Sequence, residues 1–203
     1  MIYIRFLSIF FAISLLGCTS LSFKEIRSLP ALFQNRELDQ RLLYESNQNS
    51  FLILKLGSSD EVTMVLSNIN NGVFKWVSKD FDEIYTLNGR IVAVNGFDIN
   101  YKTDLRSELI SSNDKVIYFK SNFRNPDLFF SPTKSILISV TKTELVYLGN
   151  KFSVSQHEEL IKMESVYWSS KNIFYYDTDN QPIQSIQSVS PLHPKFKLTF
   201  FYK

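Results

Sequence analysis

Short runs of apolar residues, alternating with polar ones and broken by turn residues, fill this chain from Phe51 onward. Phe51-Leu52-Ile53-Leu54-Lys55-Leu56 stops at Gly57-Ser58-Ser59-Asp60. Residues 62–66 form the next run, followed by Asn70-Asn71-Gly72 and then by Val73-Phe74-Lys75-Trp76-Val77-Ser78. Asn-Gly tolerates positive φ and so favours the tight turns whose twist matches that of paired strands. The same dipeptide recurs at Asn88-Gly89, between residues 84–87 and 90–94, and two such turns among β-branched and aromatic residues predict a meander. Residues 98–113 carry charges and few strand signatures, and read as a loop or partly helical excursion. A strand is expected over 115–119, a break at Asn125-Pro126-Asp127, and one long strand or two joined by a bend over 134–148. Residues 151–163 and 164–168 are expected to continue the sheet. Strands at 171–176, 182–189 and 195–202 complete the pattern, which predicts a single antiparallel all-β domain, either a β-sandwich or a flattened meander barrel.

The N-terminus follows another pattern. Arg5 is the sole charge in the first seventeen residues, and the apolar run from Phe6 ends in Leu15-Leu16-Gly17-Cys18. That run is shorter than the roughly 20 residues a spanning helix needs, and its layout is that of a secretory signal. Cys18 is the only cysteine of the chain, and the segment ahead of it resembles the bacterial lipobox. The resemblance implies cleavage after Gly17 and acyl chains, diacylglyceryl and palmitate among them, on Cys18. The other reading is an ordinary secretory signal in which the cysteine has no role. Ser28-Leu29-Pro30-Ala31-Leu32-Phe33, with Leu38, Leu42 and Leu43 at helical spacing, predicts a short helix after the anchor. The expected organisation is signal peptide 1–17, lipidated tether and helix 18–49, and β domain 50–203.

Composition narrows the function classes. A formal net charge of +2 without a basic block gives no electrostatic case for nucleic acid. Beyond Cys18 no thiol remains for a disulfide or a thiolate metal site, so an exported domain must rest on its packed core.

Candidate chemistry is sparse. His157 and His193 stand far apart without ligand-spaced partners, Gly-rich phosphate loops and nucleophile motifs are missing, and no cofactor is expected. Asp80 with Asp82-Glu83, or Asp98 with Asp104, could serve glycoside hydrolysis only if a cleft held two carboxyls at fixed separation. Aromatic rings offer another chemistry, stacking on sugars, although Trp76, among regularly alternating neighbours, reads as core. Tyr175 and Tyr176 are adjacent, so in a strand one of them faces away from the core.

Two stretches strengthen the lipobox signal. Phe74-Lys75-Trp76-Val77-Ser78-Lys79-Asp80 followed by Leu87-Asn88-Gly89-Arg90-Ile91-Val92, and Asn172-Ile173-Phe174-Tyr175-Tyr176-Asp177 through Ile186-Gln187-Ser188, resemble the YjbF family of lipoproteins associated with group 4 capsule and exopolysaccharide export. Val94 stands where that pattern has threonine. The resemblance implies an all-β domain at the outer membrane, facing the periplasm, with a supporting and non-enzymatic role in polysaccharide secretion. Its expected partners are the membrane, through Cys18, and the polysaccharide or its export proteins. Arg90 and Asp80 could line a polar groove for glycan or partner, with Tyr175 and Tyr176 as further contacts, although Arg90 equally suits pairing with a nearby carboxylate. Two other functions stay open: a carrier or chaperone for a lipid or lipid-linked glycan in an apolar cavity, and an envelope polysaccharide hydrolase using Asp80, Asp98 and Asp104.

Overall fold

The structure is a computed structural model that describes residues 44–45, 47–106, 115–124 and 128–203. These residues belong to the unit Leu38–Lys203. The strands are β1 Phe51–Leu56, β2 Val62–Asn70, β3 Val73–Ser78, β4 Glu83–Leu87, β5 Arg90–Gly96 and β6 Ile99–Thr103. They continue as β7 Val116–Arg124, β8 Leu128–Tyr147, β9 Asn150–Met163, β10 Trp168–Tyr176, β11 Pro182–Gln187 and β12 Phe196–Phe201. Each strand pairs antiparallel with its neighbours in sequence, and β12 returns to β1 in register from Phe51↔Phe201 to Leu56↔Phe196. The sheet is therefore a closed barrel, and the sandwich alternative is incorrect. The signal for closure lay in the first and last strands. FLILKL and FKLTFF are near-continuous apolar runs, as expected of strands covered on both faces rather than left at an open edge.

The barrel is packed. Leu52, Leu54, Met64, Trp76, Ile84, Met163, Phe196, Leu198 and Phe200 form the centre of its core, all buried. Trp76 Nε1 donates to Thr86 Oγ1 at 2.9 Å, which satisfies the one polar atom of the largest buried side chain. Exposed Lys102, Lys120, Lys171 and Lys197 punctuate the outer wall at mid-strand. A membrane-crossing barrel has the opposite polarity, with an apolar band outside. Outside β1 and β12, Phe51 stacks on Phe201 at 4.5 Å, and Tyr147 from the end of β8 stacks on Phe201 at 5.2 Å. Tyr147 Oη donates to Phe200 O at 2.7 Å, so the long β8–β9 hairpin reaches back over the closing seam.

Four hairpin turns have positive φ at both central residues: Asn71-Gly72 (49° and 76°), Asn88-Gly89 (49° and 77°), Phe97-Asp98 (53° and 58°) and Leu148-Gly149 (52° and 76°). The first two match expectation, and β8 is one long strand with a register shift between Leu137 and Ser139. Two expectations need correction. Residues 99–103, placed in a loop or helical excursion, are strand β6: Ile99, Tyr101 and Thr103 are buried while Asn100 and Lys102 are exposed, a period of two hidden by the polar residue types. Residues 164–167 do not continue the sheet, which resumes only at Trp168; Glu164–Val166 is a 3-10 turn closed by Tyr167 at φ 51°. Residues 107–114, the break at 125–127, Cys18 and the expected helix over 28–43 lie outside the described residues, so the structure gives that helix no support.

Candidate functional site

The polar residues that come together are those around the β4–β5 turn. β5 faces β11 across the ring, the two strands being equally distant in either direction. Gln187 of β11 spans the gap: its Nε2 donates to Gly89 O at 2.7 Å and its Oε1 accepts from Ile91 N at 3.0 Å. One buried amide thus supplies to β5 the donor and acceptor that a neighbouring strand would supply. Ser185 Oγ donates to the same Gly89 oxygen at 3.2 Å, and Tyr176 Oη donates to Asn88 O at 3.2 Å. Gly89 fits closely as well, since a Cβ there would stand 2.7 Å from Pro182 Cβ.

Arg90, the next residue, makes a two-pronged contact with the carboxylate of Glu159 on β9, its two terminal nitrogens meeting the two oxygens. Its guanidinium carbon lies 4.4 Å from the centre of the Phe174 ring on β10. Ser135 Oγ on β8 donates to Glu159 Oε2 at 2.8 Å. The Arg90 and Glu159 side chains retain 13% and 5% of their exposure, so the pair is held away from water. Burial pushes the Glu159 carboxyl up, but the Arg90 charge and the hydrogen bonds from Arg90 and Ser135 outweigh it and hold the group below its usual range. Burial pulls the Arg90 guanidinium down, and its carboxylate partner more than restores it. Burial pushes the Tyr176 phenol up to about 12, with the Arg90 charge opposing that shift and the Glu159 charge adding to it.

His157 lies beside this cluster, its ring edge-on to Tyr176 at 4.8 Å and its Nε2 3.0 Å from Ser155 Oγ. Burial lowers its pKa, the Glu159 charge opposes that shift, and the Arg90 charge adds to it. His193, 3.0 Å from Ser190 Oγ, is lowered by burial alone. Both groups take up protons more readily in the unfolded chain. Stability is therefore fully present above the ordinary histidine pKa of about 6.5 and declines as pH falls through the depressed folded values. Urea midpoints measured from pH 8 down to pH 5 should decrease, and His157→Gln should flatten that decline.

The expected contact residues fall in different places. Asp80 is exposed in the β3–β4 turn, far from Arg90, whose charge is engaged by Glu159. Tyr176 faces inward and is buried; Tyr175 faces outward and is half-buried. Asp98 and Asp104 flank the ends of β6 and so stand about 20 Å apart, too far for a glycosidase pair. Asp82 accepts from Phe97 N at 3.1 Å, and Glu83 pairs with Lys75 at 2.6 Å, so the carboxylates near Asp80 are structurally engaged. Among the described residues, no group of three His, Cys, Asp or Glu side chains could hold a metal ion. A cavity of ≈ 30 Å³ beside Arg90, Ser135, Asn172 and Gln187 has room for about two waters. A wider cleft of ≈ 270 Å³ opens beside the Asn88-Gly89 turn, lined by Phe74, Asn88, Gln181, Pro182 and Tyr202. Residue-type and spacing arguments missed Glu159 and Gln187, because their partners lie far off in sequence.

Fold and site together define a packed, closed β-barrel whose polar cluster ties opposite walls together. A family model described as "Group 4 capsule polysaccharide lipoprotein gfcB, YjbF" matches residues 34–201. The chain belongs to this family. The crystal structure of the hypothetical lipoprotein YmcC from Escherichia coli (K12) is similar, with a TM-score of 0.73 over 90% of this chain and 96% of that one. At 20% identity this likeness shows the fold alone. A comparison with curated proteins returned no match.

Proposed function

We propose that this chain is a lipid-anchored outer-membrane protein, facing the periplasm, that assists capsule or exopolysaccharide assembly or export without catalysing a reaction. The match to a capsule polysaccharide lipoprotein family over residues 34–201 carries this reading. Acyl chains on Cys18 hold the barrel at the membrane, and two or more chains suffice for stable attachment where a single one is marginal. The barrel then binds glycan or an export partner. The cleft beside Asn88-Gly89 suits a sugar, since the rings of Phe74 and Tyr202 and the amides of Asn88 and Gln181 border it. Tyr175 keeps a half-exposed side chain and remains a contact in this proposal, whereas Asp80, at the opposite end of the barrel from the cleft, does not. Arg90 and Tyr176 serve it indirectly, by fixing the hairpin that forms the cleft wall. The carrier reading gains no support from the packed core.

Deletion of the gene under conditions where the polysaccharide is made should reduce surface polysaccharide. Wild type should restore it and Cys18→Ala should not. Unchanged polysaccharide after deletion would overturn the assignment.

A further inference from the structure

The antiparallel meander sorts the connections to two ends of the barrel, and the two ends differ. The β2–β3, β4–β5, β8–β9 and β10–β11 turns lie at the end where the described chain begins, marked by Lys203 N donating to Ser50 Oγ at 3.0 Å. Three of them have polar central residues, Asn71-Gly72, Asn88-Gly89 and Asp177-Thr178-Asp179-Asn180; the fourth, Leu148-Gly149, has exposed Val146 and Phe152 on its flanking strands. The opposite end carries the β3–β4, β7–β8, β9–β10 and β11–β12 connections, together with the polar β1–β2 turn Gly57-Ser58-Ser59-Asp60 and the β5–β6 turn Phe97-Asp98. There Phe81 is 83% exposed, Phe130 67%, Tyr167 100% and Leu192 62%.

Three of these residues combine exposure with an unfavourable backbone. Phe81, Phe130 and Tyr167 have φ of 66°, 51° and 51°, a region that costs a residue with a Cβ about 1–2 kcal/mol and that Asn or Gly enters more easily. Within the fold the exposed rings gain little packing in return. Ser131 Oγ and Ser165 Oγ are hydrogen-bonded, which sets the start of β8, with Phe130, beside the Tyr167 turn. Lys120 Nζ lies 5.8 Å from the centre of the Phe130 ring. Charges of both signs share this end, Asp60, Asp80, Asp98 and Glu164 with Lys79, Arg124 and Lys195, so apolar burial and not net charge must drive any attachment here.

The geometry points to this apolar crown as a second, non-covalent membrane contact, with Phe81, Phe130, Tyr167 and Leu192 seated in the interfacial layer of a bilayer. The inference rests on the lipid-anchor reading of Cys18. Separate side chains projecting from separate segments suit the interface of a bilayer, where amphipathic and aromatic side chains partition singly; a protein partner would favour one contiguous packed patch. The chain between Cys18 and Tyr44 can extend to about 90 Å. A nine-residue strand such as β7 spans only about 30 Å. An anchored barrel can therefore turn its far end toward the same membrane. Acyl chains and crown would then fix its orientation, leaving the cleft at the other end open to the periplasm.

The test uses the lipidated full-length protein in vesicles of phosphatidylethanolamine and phosphatidylglycerol, 3:1. Acylation blocks the Cys18 thiol, so Tyr167→Cys or Thr178→Cys introduces one labelling site, at the crown or at the opposite end respectively. An environment-sensitive fluorophore at Tyr167→Cys should shift to the blue and lose several-fold in quenching by aqueous iodide, while the label at Thr178→Cys stays water-like. Adding Phe81→Asn and Phe130→Asn should weaken crown partitioning by at least about tenfold, as expected for removing large apolar side chains from an interface. A Tyr167→Cys label as water-like as the Thr178→Cys label overturns the crown. So does a blue shift unaffected by the two Asn substitutions. Failure of the anchor reading shows separately, as labelling of the unsubstituted protein at Cys18.

Discussion

Glu159→Ala is expected to lower the unfolding free energy by about 3–5 kcal/mol, the range for removing one partner of a buried ion pair. The loss comes less from the attraction forfeited than from the charge left behind. Arg90 cannot shed its proton, its guanidinium is packed against Phe174, and with Glu159 gone the polar groups beside it, Ser135 and Asn172 among them, are uncharged. Glu159 also joins strands that do not neighbour β5 in the sheet, so its removal loosens one wall against the other. Equilibrium urea denaturation, with β structure and tryptophan fluorescence followed together, measures the effect. A loss below 1 kcal/mol would mean that the pair is solvated, contrary to its burial.

Gly89→Ala should cost about 2–5 kcal/mol from two separable sources. At φ 77° an alanine is strained, by about 1–2 kcal/mol. Its Cβ would also stand 2.7 Å from Pro182 Cβ, and such overpacking adds about 1–3 kcal/mol unless β11 gives way. Moving β11 would stretch the bonds of Gln187 and Ser185 to Gly89 O, so relaxation is itself costly. Gly149→Ala is the internal control. It has nearly the same φ, 76°, but nothing within 4 Å of the new methyl, so only the strain remains. The difference between the two losses measures the cross-barrel contact.

These residues show which parts of the structure were legible in the sequence. Local signals carried well. Asn71-Gly72 and Asn88-Gly89 announce their turns, and the strands beside them follow from alternation. Leu148-Gly149 makes the same turn without the announcement, because leucine tolerates positive φ poorly and the hairpin around it sets its conformation. β6 was obscured for a related reason: its buried positions include Tyr101 and Thr103, amphipathic types that weaken a period-two pattern. The candidate site was legible only in part. Arg90 was open to a carboxylate partner, but nothing local distinguishes Glu159 from Glu158, its exposed-side neighbour bonded to Lys171 at 2.9 Å. Pairing across the barrel depends on closure by β1 and β12, a contact between the two ends of the domain. The crown was illegible for the same reason, since only strand direction collects Phe81, Phe130, Tyr167 and Leu192 at one end.

The central claim is that Arg90 and Glu159 act as structural ties within a capsule-assisting barrel and take no direct part in binding or chemistry. Replacing a buried ion pair by apolar residues of similar volume is often neutral for stability, in contrast to breaking it. The most direct measurement is therefore surface polysaccharide in a deletion strain carrying Arg90→Met, Glu159→Leu and Ser135→Ala together, with the thermal midpoint of the purified variant recorded alongside. The account predicts a midpoint near that of wild type and restored polysaccharide. A well-folded triple variant that leaves the polysaccharide absent would contradict it and assign the pair a direct role.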